Sequence, residues 1–170
     1  MTDIIIERLQ GADFKTLFEF ELENRAYFEE MVPNRGDDYY NFDIFKLKNK
    51  SLMDEQDQGL SYFYLIKDKE GLILGRMNVV DIDKSTGLGH IGYRVGKAHT
   101  GKGIANRALN LLLENTPLLG IRQILAKTTT NNIASQKVLE KSGFQYVASD
   151  DEQFKMNGQL LSFVYYRWEK

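Results

Sequence analysis

The sequence predicts a mixed α/β domain with the element order β-α-α-β-β-β-α-β-α-β-β, and three observations carry that reading. Short runs of β-branched and aromatic residues alternate with stretches whose apolar residues recur at helical spacing. Asp68-Lys69-Glu70-Gly71 and Asn157-Gly158 are turn signals, which place antiparallel hairpins early and late in the chain. Between them, strand-like residues 90–95 and 123–128 flank an amphipathic stretch, the pattern of a strand-helix-strand crossover.

The elements follow in order. Residues 4–9, opening on Ile4-Ile5-Ile6, read as the first strand. Residues 13–28 carry Phe14, Leu17, Phe18 and Leu22 at helical spacing, with Asp13 as the cap. Pro33-Asn34-Arg35-Gly36 is a turn, and residues 37–53 repeat the helical pattern through Tyr40, Ile44, Phe45, Leu47 and Leu52. Residues 61–67 and 73–80 form a hairpin, and a third strand, 90–95, follows the polar turn at residues 83–87. The helix over 104–115 puts Ile104, Ala108, Leu111 and Leu112 on one stripe, and Pro117 closes it. Residues 123–128 are a strand and 132–142 a helix, with Gly143 suited to the left-handed position behind it and Phe144 folding back on Leu139. Residues 144–148 begin another strand, and the Asn157-Gly158 turn leads into the terminal run, 160–168. No repeat, linker or low-complexity tract interrupts the pattern, so residues 1–170 are expected to be one domain.

Composition narrows the chemistry. The chain has no cysteine, which excludes disulfides, thiolate metal sites and a cysteine nucleophile, and its histidines are His90 and His99. No metal is expected. A net charge of −2 argues against general nucleic-acid binding. The start lacks the basic, apolar character of a secretory signal and no stretch has membrane-spanning length, so a cytoplasmic protein without membrane attachment is expected.

Gly101-Lys102-Gly103-Ile104-Ala105 joins the third strand to the long helix and reads as a phosphate cradle. Glycines allow close backbone approach, and the unpaired N–H groups of a first helical turn favour an anion. A P-loop would need four residues between its first glycine and Gly-Lys-Ser/Thr, but Lys102-Gly103 follows Gly101 at once. A dinucleotide fingerprint would need glycine or alanine where Asn106 stands and an acid about twenty residues on, where Ile121-Arg122-Gln123-Ile124 offers none.

Three blocks identify a better match. Ile91-Gly92-Tyr93-Arg94-Val95, Gly101-Lys102-Gly103-Ile104-Ala105, and Asn132-Ile133-Ala134-Ser135 with Val138-Leu139-Glu140-Lys141-Ser142-Gly143-Phe144 together resemble the GNAT superfamily of acetyl-CoA-dependent N-acetyltransferases, most of all its ribosomal-protein N-terminal acetyltransferase branch. The resemblance implies a central mixed, mostly antiparallel sheet flanked by helices, with acetyl-CoA as co-substrate. It places the pyrophosphate on residues 100–105, that is Thr100, Gly101, Lys102, Gly103, Ile104 and Ala105. Thr100 stands where the family loop, Gln/Arg-x-x-Gly-x-Gly/Ala, has a cationic or amide side chain, leaving the main-chain donors to carry the binding. Lys102, Arg107 and Lys137 are sources of local charge. Tyr93 and Val95 would lend strand backbone to the pantetheine amides, as in strand addition. Asn132 is an N-cap or a pantetheine ligand, the two roles coexisting if neighbouring Asn131 does the capping, and Ser135 lies near the thioester sulfur.

Acetyl transfer to an amine requires that the ammonium lose a proton and that the departing thiolate be stabilised. Ser135 is the candidate donor to the sulfur. His90, where the branch often carries glutamate, is the candidate base or proton relay, its ordinary pKa suiting work near neutrality. The acceptor, a protein N-terminus or a small amine, is expected to meet the N-terminal helices and the final hairpin. Glu29, Glu30, Asp37 and Asp38 around Pro33 are placed to attract a cationic amine, with Tyr39 and Tyr40 as aromatic walls, but read better as solvated helix ends, and Phe42 and Phe45 as core. A homodimer is compatible with the terminal hairpin. The competing reading is a catalytically silent acyl-CoA-binding or regulatory domain, marked by Thr100 and His90; the retained Ser135 and glycine loop favour activity.

Overall fold

The computed structural model describes residues 3–31 and 35–170. Along the chain run β1 (Ile4–Arg8), α1 (Phe14–Glu23), α2 (Arg25–Met31), α3 (Phe42–Asp57), β2 (Tyr62–Asp68), β3 (Ile73–Asp83), β4 (Leu88–Val95), α4 (Ile104–Leu119), β5 (Gln123–Thr129), α5 (Ile133–Lys141), β6 (Gln145–Ser149), β7 (Phe154–Met156), β8 (Gln159–Leu161) and β9 (Phe163–Glu169). The main sheet has the order β1-β2-β3-β4-β5-β9-β6 and is antiparallel except where β4 meets β5. That one parallel step is the α4 crossover expected from the sequence.

Strand alternation gives the sheet two apolar faces. Phe63 and Leu65 of β2 join Leu17, Phe20 and Phe45 from the helices before it, whereas Tyr64 and Ile66 join Ala108, Leu109 and Leu112 of α4 and Leu139 of α5. The mixed, mostly antiparallel sheet between helices is therefore the architecture the sequence predicted.

Boundaries differ at several places, each with a local cause. The first helical pattern is divided at Asn24, whose Nδ2 donates back to the Phe20 carbonyl (2.9 Å) while its Oδ1 accepts the Lys97 N–H (2.9 Å), pinning the break to the segment after β4. Asp13 does not cap α1 with its side chain; it accepts from the Gln10 N–H and from Lys67 Nζ instead. Pro33 and Asn34 lie outside the described residues. The second helix opens with a 3-10 turn at Asp37–Tyr40 and is capped by Asn41. Phe45 is fully buried, but Phe42 is exposed at the first turn. Pro117 sits inside α4 rather than closing it: the Leu113 carbonyl, which the proline cannot serve, accepts the Thr116 hydroxyl (2.8 Å), and the helix runs on to Gly120. Asn157-Gly158 turns between β7 and β8, a small separate sheet, while β6 pairs with β9. Behind α5, Gly143 at φ +89° lets Phe144 N–H reach the Leu139 carbonyl (3.0 Å), the predicted fold-back.

One feature of the sheet positions everything that follows. β4 and β5 pair only from Leu88↔Gln123 to Ile91↔Ala126, although β4 continues to Val95 and β5 to Thr129. Past Ile91 the two strands separate, and the gap between them opens the middle of the sheet.

Candidate active site

The loop into α4 is built from backbone. Gly101 and Gly103 both hold φ at +74°, a conformation that strains any side-chain-bearing residue. Gly103 is the N-cap and offers no capping side chain, so the first-turn N–H groups of α4 are left for a ligand. These residues line a cavity of about 300 Å³, which Val95, Thr100, Ile104 and Ala105 also border. No acidic residue lines it among the described residues. An uncapped helix start, open glycines and the far half of β4, paired with β3 but free on its β5 side, together fit the pyrophosphate and pantetheine arm of a CoA thioester. Lys102 and Lys137 do not line this cavity, and the Thr100 hydroxyl is turned to the Lys97 carbonyl (3.0 Å).

The start of α5 closes the other side. Asn132 caps it, its Oδ1 accepting the Ser135 N–H (3.1 Å), so the capping reading of Asn132 holds while the residue also borders the cavity. Asn131 does not compete for the cap; it accepts the Thr129 hydroxyl and donates to Gln159. The cap fixes Ser135 against β4, where its Oγ lies 3.1 Å from the Tyr93 hydroxyl. Burial pushes the Tyr93 phenol up to about 12, so it remains protonated at any physiological pH.

A second cavity, of about 470 Å³, opens on the far side of this pair. Tyr93, Arg94, Asn132 and Ser135 line both cavities, which therefore meet at the two hydroxyls. Its walls include Arg35, Arg76, Asn78, Gly92, Lys127 and Phe163, reached through the gap between β4 and β5. Behind them Glu21 of α1, fully buried, accepts from Arg76 Nη1 (2.9 Å) and Arg94 Nη2 (2.6 Å). Burial opposes its ionisation, but the two guanidiniums prevail and hold Glu21 below the usual carboxylate range. Tyr39, buried as well, accepts from both Arg76 and Arg35.

His90 lies opposite Val80 and Leu125, one residue before Ile91 turns into the α4-side core, and borders neither cavity. His99 borders the first cavity near the glycine loop, away from Ser135. Among the expected acidic residues, Glu29 and Asp37 both pair with Arg25. Sequence reading missed Glu21, Arg35 and Arg76. Glu21 meets its partners across 55 and 73 residues, so no local pattern signals its burial.

A family model described as the acetyltransferase (GNAT) domain matches residues 3–145. The probable N-acetyltransferase YjcK of Bacillus subtilis is 27% identical over 158 residues, 91% of this chain and 87% of that protein. Among solved structures, the ribosomal-protein-S5-alanine acetyltransferase from Vibrio fischeri superimposes with a TM-score of 0.90 at 22% identity, covering 99% of this chain and 94% of its own. Spermidine N-acetyltransferase from Vibrio cholerae, in complex with CoA and spermine, gives 0.79 at 16% identity over 98% and 95%.

Proposed function

Because the chain belongs to the GNAT acetyltransferase family and is an acetyl-CoA-dependent N-acetyltransferase, we propose that the first cavity takes acetyl-CoA and the second takes the amine, with transfer where they meet at Tyr93 and Ser135. That meeting point is the observation that carries the reading.

When bound, acetyl-CoA supplies the acetyl group as a thioester. The main-chain N–H groups of Gly101–Ala105 hold its pyrophosphate, and the β4 backbone at Tyr93–Val95, free on its β5 side, aligns the arm toward Ser135. The amine attacks through the gap between β4 and β5. Holding both reactants in line is worth about 7–11 kcal/mol of barrier, which makes orientation the main device. The Ser135 and Tyr93 hydroxyls stabilise the departing thiolate, and Tyr93, kept neutral by burial, is the better proton donor of the two. No carboxylate or imidazole among the described residues borders the acceptor cavity, so the ammonium proton leaves to water there. A base on β4 at His90 has no such route.

The acceptor is a protein N-terminus or a small amine, the two classes represented by the Vibrio fischeri and Vibrio cholerae enzymes. Thiol release from acetyl-CoA over a panel of peptides and amines tests the assignment. Ser135→Ala and Tyr93→Phe are expected to lower kcat by about 10- to 100-fold each, with the KM for acetyl-CoA moving less than about 3-fold. His90→Ala is expected to keep the wild-type pH–rate profile, and a lost acidic limb would return the base to β4. Wild-type kcat in both hydroxyl variants overturns the assignment.

A further inference from the structure

We propose that the amine acceptor also carries an oxyanion, a carboxylate or phosphate, held by Arg94 and Arg35 in the second cavity. This rests on the reading of that cavity as the acceptor site and narrows its substrate class.

The argument begins in the sheet register. Arg76 of β3 lies directly opposite Arg94 of β4, so both guanidiniums project from the same face of an antiparallel pair. Like charges so placed repel, and the repulsion is strongest away from water. Glu21 bridges the two, but one carboxylate cannot neutralise two guanidiniums. The surroundings do not make up the deficit. Arg35 and Arg76 both donate to the Tyr39 hydroxyl, and Lys127 Nζ lies 4.6 Å from the centre of the Phe163 ring. Arg35, Arg76, Arg94 and Lys127 all border the cavity, and no Asp or Glu among the described residues does. Glu29 and Asp37, on either side of Arg35 in the sequence, are held by Arg25.

Two further observations point to a ligand. The Nε of Arg76, in a side chain only 4% exposed, has no hydrogen-bond partner. Burial, with like-charge repulsion from Arg35 and Arg76, outweighs the attraction of Glu21 and pulls Arg94 below the usual guanidinium value. An anion in the cavity would offset the surplus charge at Arg94, since charge-assisted and bidentate contacts are the ones guanidinium favours. A polyamine would add positive charge to a cavity already in surplus.

The test compares acceptors that share an amine and differ in charge: 2-aminoethyl phosphate with ethanolamine, β-alanine with its amide, and spermidine. Turnover is measured as thiol release, and binding by calorimetry on CoA-saturated protein. The anionic member of at least one pair is expected to exceed its neutral partner by about tenfold or more in kcat/KM and in affinity, with spermidine lowest. The pair with the larger ratio identifies phosphate or carboxylate. Arg35→Gln, at an exposed position that does not border the first cavity, should cut that ratio to below about threefold without moving the KM for acetyl-CoA, and Arg94→Gln, which leaves Glu21 paired with Arg76, should cut the ratio to the same extent. Neutral partners that match the anions, or a preference for spermidine, overturn the inference and leave the acetyl-transfer reading standing. Absence of turnover with every acceptor counts against the acetyl-transfer reading, and the calorimetric ranking then decides the anion preference by itself.

Discussion

At one end of the site, Gly101–Ala105 presents main-chain N–H groups from a single loop. At the other, Arg76, Arg94 and Arg35 come from β3, β4 and the segment after α2, the first two held in place by Glu21 of α1 and the third bonded to Tyr39. As proposed, the first arrangement takes a feature common to every CoA thioester and needs only local backbone conformation. The second, on the same proposal, takes whatever is particular to the acceptor and needs charged side chains fixed in place. The difference teaches that one site can be robust at its cofactor end and fragile at its specificity end, because the two ends depend on different parts of the fold.

Glu21→Ala is the largest test of that contrast. It leaves Arg76 and Arg94 facing each other without their shared carboxylate, an uncompensated buried pair of charges that costs about 3–5 kcal/mol. Urea unfolding should show the loss, and the Tm should fall by about 10 °C. Below its own transition the variant should still bind acetyl-CoA with near-native affinity while losing acceptor binding. Equal loss at both ends would mean that the two regions are not separable.

The next effect belongs to Tyr93, which borders both cavities. Its folded pKa of about 12 lies above the ordinary tyrosine value near 10, so the folded state holds the proton more tightly. The stability this provides is fully present below pH 10. As pH rises toward 12 the unfolded chain ionises first and that stability is lost, by at most about 2.7 kcal/mol. Tyr93→Phe lacks this component, so its stability should fall less steeply than that of the wild type across the same window. Parallel stability curves in alkaline urea titrations would show that Tyr93 is not desolvated where the cavities meet.

The same contrast explains what could be read from residues alone. The glycine loop was legible because its determinants are contiguous: glycines at 101 and 103, then a helix start. Asn132 and Ser135 were legible because a capping pair has fixed local spacing. The acceptor end was not, since Glu21 meets Arg76 across 55 residues and Arg94 across 73, and a glutamate at helical spacing looks the same in sequence whether buried or solvated. Element order was legible for a similar reason, while boundaries depended on single hydrogen bonds. The Thr116 hydroxyl that keeps α4 helical past Pro117, and the Asn24 amide that divides α1 from α2, obey no hydrophobic period. His90 shows the limit of reading a strand by proximity in sequence. It is near Gly92 along the chain, but the gap between β4 and β5 opens only past Ile91.

Gly103→Ala tests the cofactor end alone. A Cβ there meets no atom within 4 Å, so the penalty is the left-handed backbone itself, about 1–2 kcal/mol. The KM for acetyl-CoA should rise about tenfold as the loop relaxes, with acceptor KM unchanged. This is the mirror image of Glu21→Ala, and the two variants together define the boundary between the regions.

The smallest expected effect comes from Thr100→Arg. Thr100 is exposed, borders the first cavity, and spends its hydroxyl on the Lys97 carbonyl, so its replacement disturbs no buried contact. With the phosphates on main-chain donors, as proposed, a new guanidinium adds a partly solvated charge pair worth about 0.5–1 kcal/mol, a twofold to fivefold gain in acetyl-CoA affinity. Raising the salt to about 1 M, where the screening length falls to about 3 Å, should erase the gain. Acceptor KM should stay fixed at both salt concentrations. A gain much larger than fivefold that survives high salt would mean that the loop relies on side-chain charge after all, and the division between a backbone-built end and a side-chain-built end would have to be redrawn at residue 100.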